Sequence, residues 1–130
     1  MEINEMNRIV LAEALSDLLA YIQENVKNLT GTSAEDITEN TLAISTAKIK
    51  LSKIQAEPEQ SFSAAELYVM YWAVWELRED ARGVLDAAGI SGSGHTAAVD
   101  AEKSCNRLLR LFRHQYKQAG MEPPQEFPRY

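Results

Sequence analysis

The sequence predicts an all-α domain, an antiparallel four-helix bundle with a short carboxy-terminal tail, and three observations carry that expectation. Apolar residues recur at spacings of three and four through four long segments. Two of those segments open on a Ser followed three residues later by an acid, the signature of a helix start. The one run that alternates like a strand has no second strand to pair with. The chain's 130 residues set the scale, enough for one domain that buries about two-thirds of its unfolded surface around a single core. Hydrophobic residues at 45% and charged residues at 25% sit near the globular average, which excludes disorder, collagen and a disulfide scaffold.

The first helix is expected over Glu2 to Val26, where Ile3, Met6, Val10, Leu11, Leu15, Leu18, Leu19, Ile22 and Val26 keep helical spacing. It should stop between Asn28 and Gly31, residues that tolerate the left-handed conformation. The second helix starts at the cap Ser33-Ala34-Glu35-Asp36. Its β-branched content, with Thr38, Thr41, Ile44, Thr46 and Ile49, argues for a strand. The heptad Ile37, Ile44 and Leu51, with Ala47 and Ile54 on the same stripe and no Gly or Pro before Pro58, decides for a helix.

After the polar break at residues 57–60, Ser63-Ala64-Ala65-Glu66 is a capping box for the third helix, expected to reach about Ala88 and end at Gly89. Gly83 lies inside it at a cost of about 1 kcal/mol relative to Ala, so it should either allow close helix contact or mark a bend. Residues 89–95 hold three glycines and read as a mobile turn. The fourth helix is expected from Thr96 to Ala119, with Gly120 as its stop and Pro123-Pro124 barring continuation. Residues 1–120 thus form the four-helix domain, and 121–130 a tail that Phe127 and Tyr130 would lay on its body.

Charge narrows the partners. Thirteen Lys and Arg against nineteen Asp and Glu give a net charge of −6, which disfavours coating nucleic acid. The distribution is uneven, with eight acids and two bases in residues 1–40 and four acids and six bases in residues 91–130. A lone cysteine, Cys105, and an amino terminus without a basic stretch leading into an apolar run favour a cytoplasmic location and no membrane association. The match to a glycosylation pattern at Asn28-Leu29-Thr30 is then fortuitous.

The third helix is the most informative segment for function. Leu67, Tyr71, Val74, Ala81, Leu85 and Ala88 form one stripe, enough to face a core. Tyr68, Trp72 and Trp75 form a second stripe, with Phe62 just ahead of both. In a four-helix domain no helix is fully surrounded, so part of this second stripe should meet a partner subunit, the tail or a ligand. Tyr68, Trp72, Trp75 and Phe62 are the partner-binding candidates, since Trp and Tyr are enriched at binding hot spots. The bland alternative is that the rings fill the edge of the core.

On the fourth helix Lys103, Arg107, Arg110, Arg113 (or His114) and Lys117 step by three or four and form a basic ridge. Opposite lie Ala98, Ala101, Cys105, Leu108, Phe112 and Ala119. The ridge suits phosphates or an acidic protein surface, or else is a solvated face paired with Glu13, Asp17 and Glu24. Material for catalysis is thin. Cys105 sits on the apolar stripe as an inert thiol, and neither His95 nor His114 has ligand spacing to it. The glycine-rich turn before the fourth helix lacks the strand and lysine of a phosphate loop. Glu76, Glu79 and Asp80, facing Asp100 or Glu102, would be needed to hold magnesium. Arg78 and Arg82 beside them read instead as surface pairing.

The expectation is therefore a non-enzymatic interaction domain, adaptor or inhibitor-like, with no catalytic residue, metal or cofactor. It binds another protein through the aromatic side of the third helix and self-associates as a dimer. The alternatives are a small magnesium-dependent nucleotide hydrolase using the acids of the third helix, and an acidic inhibitor that fills a nucleic-acid-binding groove of its target with Glu35, Asp36 and Glu39.

Overall fold

The computed structural model describes residues 3–27, 33–87 and 92–128. It holds four helices, α1 (Glu5–Asn25), α2 (Ala34–Ser52), α3 (Ala64–Asp86) and α4 (Gly92–Gln118), and no strand among the described residues. The expected stop at 28–31 and Tyr130 lie outside the described residues, whereas α3 ends at Asp86 with Ala87 as its extended C-cap, short of the expected Ala88.

Each helix start is explained by a cap. The side chain of Asn4 accepts from the Asn7 amide at 2.8 Å, so α1 opens three residues later than the apolar spacing suggests. Glu5 in the first turn accepts from Arg8 and Gln55, and these bonds hold its carboxyl down at about 2. Both expected capping boxes are present, Ser33 with Asp36 on α2 and Ser63 with Glu66 on α3.

In α2 the β-branched residues are accommodated by back-bonding. Thr38 Oγ1 donates to the Ala34 carbonyl at 3.0 Å and Thr41 Oγ1 to that of Ile37 at 2.8 Å. Ala43, Ile44, Ala47 and Leu51 are buried on one face, which settles the strand ambiguity. The start of α4 is a correction. Gly92 to His95, expected as turn, are helical, and the Thr96 hydroxyl donates back to the Gly92 carbonyl at 3.1 Å. Extending a long formed helix by a turn costs less than nucleating one, so weak local propensity yields.

Gly83 neither allows close contact nor sits against a neighbour, because a Cβ added there would meet nothing within 4 Å. Three apolar residues of the expected stripes face solvent instead: Met6, Val26 and Ala119. On α4, Leu109 and Tyr116, outside the expected stripe, are buried in the core.

α3 packs against all three other helices, whereas α2 and α4 do not pack on each other. The α3 and α4 helices run antiparallel, with Arg82 bonded to Glu102 near one end and Tyr71 to Arg113 near the other. α1 and α2 are likewise opposed, through Glu5 with Gln55 and Ser16 with Lys48 at 2.9 Å. No helix among the described residues is long and apolar enough to cross a membrane.

Candidate functional site: an aromatic cup

The chain leaves α4 through a turn built on glycine. Gly120 has φ +71°, its amide donates to the Lys117 carbonyl at 3.1 Å, and the Met121 amide donates to that of Tyr116 at 2.9 Å. This double bond pattern is a Schellman motif, and it reverses the chain onto the bundle. Pro123 and Pro124 then forbid helix, and the segment runs on without regular structure.

The tail brings Phe127 to the flank of α3. Its ring lies 5.6 Å from that of Tyr68, 5.7 Å from Tyr71, 5.9 Å from Trp72 and 5.6 Å from Trp75. Positions 68, 71, 72 and 75 are i, i+3, i+4 and i+7, so one helical face supplies all four walls. The Phe127 and Trp72 rings are parallel to within 1° and the other three are tilted, arrangements that favour ring quadrupoles and add about 0.5–1.5 kcal/mol per pair beyond the area buried.

Phe127 is 6% exposed and Trp72 is 1% exposed, so both belong to the core, while Tyr68 and Trp75 are half-buried at the rim. The Trp72 indole N–H donates to Glu76 Oε1 at 3.3 Å, which satisfies its one polar atom. Tyr71 closes the α4 side, 5.8 Å edge-on to Tyr116 and 6.4 Å from Phe112, and its hydroxyl accepts from Arg113 Nε at 3.1 Å.

Three of the four partner-binding candidates therefore converge on the tail, and Phe62 does not join them through Phe127. The Lys50 ammonium stands 5.6 Å over the Phe62 ring and donates to the Ser61 carbonyl at 2.8 Å and to Glu66 Oε1 at 2.6 Å. Glu66, buried, also accepts from the Ser63 amide at 2.8 Å. Burial works to raise its carboxyl, but the bonds from Lys50 and Ser63 outweigh it and leave it below the usual range. This knot pins α2 to the start of α3.

Sequence reasoning placed Tyr71 in the core stripe and missed its place in the cup, although its position three after Tyr68 and four before Trp75 carried that signal. Phe127 was legible as a tail anchor. Tyr116 was missed, since on α4 it lies beside the charged run.

Burial, with Tyr68 and Tyr71 nearby, pushes the Tyr116 phenol up to about 12, and burial raises Tyr68 as well. Cys105, also buried, is pushed up to about 11 and stays a thiol.

Known proteins add nothing to this geometry. No family model, curated protein or solved structure matches the chain.

The charged candidates fall into two places. On the ridge, Lys103, Arg107, Arg110 and Lys117 are exposed and make no ion pair among the described residues, so the pairing with Glu13, Asp17 and Glu24 is not formed. Arg113 turns inward to Tyr71, and the exposed His114 takes its register. Between α1 and α3, Asp17, Glu76 and Asp80 line a cleft of about 250 Å³ over Ala14 and Leu77. Burial, then Asp17 and Glu79, raises the Asp80 carboxyl. Glu79 and Glu102 are engaged by Arg82 at 3.5 and 3.3 Å. Among the described residues no group of three or more His, Cys, Asp or Glu is placed to hold a metal ion.

Proposed function

We propose that the protein is a non-enzymatic interaction domain, an adaptor or inhibitor, whose binding element is the aromatic face of α3 and whose ligand is an extended segment that presents an aromatic ring. The observation that supports this reading is the seat of Phe127, four rings of one helical face around a fifth brought by a short, proline-stiffened segment. Helical grooves that take peptide anchors work in this way, with a few large rings contributing most of the affinity. The tail is then a ligand held in place, and a partner binds by replacing it. A single buried thiol at Cys105 suits a reducing, cytoplasmic setting.

The test uses the full chain carrying Phe127→Ala, which vacates the seat. Trp72 and Trp75 are the only tryptophans and both line the cup, so indole emission reports this site alone. A peptide of residues 121–130 should change that emission saturably, and the same peptide with Ala in place of the phenylalanine should not. Emission that stays flat with both peptides would sink the reading.

A further inference from the structure

We infer that the segment taken up by the aromatic cup is the tail of a second copy of this chain, so that two molecules exchange residues 121–128 and each fills the other's cup. The inference rests on the reading of α3 as a binding face and names its occupant. Exchange re-forms every contact that Phe127 makes at 5.6 to 5.9 Å within one chain, so the complementarity needed between copies is already displayed.

The hinge is equally specific. The tail's path back onto its own bundle depends on one residue, Gly120, held at φ +71°, a conformation that glycine reaches freely and alanine does not. A Cβ there would meet nothing within 4 Å, so the closed turn is a matter of backbone preference and not of packing. Beyond it, Pro123-Pro124 restricts the backbone of the link, which leaves Gly120 as the point where its direction is set. Charge around the hinge points the same way. Lys117 before it and Glu122 and Glu126 after it are exposed and make no ion pair among the described residues, which leaves opposite charges available where two hinges meet.

Within one chain the tether holds the tail at an effective concentration on the order of millimolar, so the wild-type chain exchanges toward that range. Two full-length variants remove the competition. Phe127→Ala keeps a sound cup and spoils the tail, whereas Trp75→Ala keeps the tail and spoils the cup. Each alone should sediment as a monomer. Mixed in equal amounts they should form a heterodimer with one intact seat. Should Trp75→Ala lose its helical circular dichroism, Tyr68→Ala takes its place. Independently, Gly120→Ala should raise the association constant of the otherwise wild-type chain about a hundredfold, because the penalty on the closed turn is relieved at both hinges of the dimer.

A mixture that stays monomeric overturns exchange, and so does a dimer formed equally well by each variant alone, which would place self-association on another surface. The two readings separate cleanly. If the mixture is monomeric but the 121–130 peptide still changes the emission of the Phe127→Ala chain, exchange fails and the binding face stands; if neither occurs, both fall.

Discussion

The two halves of α3 are built differently. From Glu66 to Val74 every residue except Tyr68 is buried, although no helix of a four-helix domain should be covered all round. From Trp75 to Asp86 only Ala81 is buried, and Arg78, Glu79 and Arg82 form a surface ion-pair chain that reaches Glu102. Helix packing alone does not account for the difference. The first half is closed on its aromatic side by Phe127, a residue outside the helices altogether. An aromatic excess on one helix thus signals a covering element, and here the tail supplies it.

The largest effect expected is at the floor of the cup. Trp72→Ala should cost about 3–5 kcal/mol in urea unfolding, the range for emptying a large buried ring site, while Val84→Ala in the open half should stay within about 0.5 kcal/mol. Similar losses at both positions would erase the contrast between the halves.

Next comes the knot at the head of α3. Glu66→Gln keeps the shape and removes the charge that Lys50 faces, and should cost about 1–3 kcal/mol at neutral pH. The carboxyl of Glu66 is depressed in the folded state, so its contribution is present above its unfolded value and is lost as pH falls through the folded one. The gap between wild type and variant should therefore close in acid. A gap independent of pH would show that the ion pair does not anchor this end.

Gly83→Ala tests the open half in the opposite direction. With free space around the position, the substitution should stabilise by about 0.5–1 kcal/mol through helix propensity alone. A loss would mean that the second half needs a local bend. Smallest of all is the effect of divalent cations. Magnesium or manganese should leave Tm unchanged, and a concentration-dependent rise would revive a metal site at Glu76 and Asp80.

Much of this was legible in the sequence where the signal is local. The caps at Ser33 and Ser63, the Gly120 stop and the apolar stripes each depend on residues a turn or two apart, and the structure has them where spacing places them. What escaped involves long-range choices. Helical residues at 92–95 follow from propagation that local propensity opposes. Met6 and Val26 keep helical spacing yet face solvent, because periodicity identifies a stripe without saying where its cover ends. The cup was half-visible. Tyr68, Trp72 and Trp75 stood out by composition, but the decision between core and interface depended on where a tail ring would land, and no spacing rule joins residue 127 to residue 72. Arg113 and His114 show the same limit, since only the position of Tyr71 determines which of the two leaves the ridge.

The most direct test of the account is collisional quenching of tryptophan emission by acrylamide in the wild-type chain and in Phe127→Ala. With both indoles in the cup, the account predicts weak quenching in the wild type. In the variant it predicts red-shifted emission and stronger quenching, with the helical circular dichroism unchanged. Quenching that is already strong in the wild type, or that Phe127→Ala leaves untouched, would contradict the claim that the tail closes the aromatic face of α3.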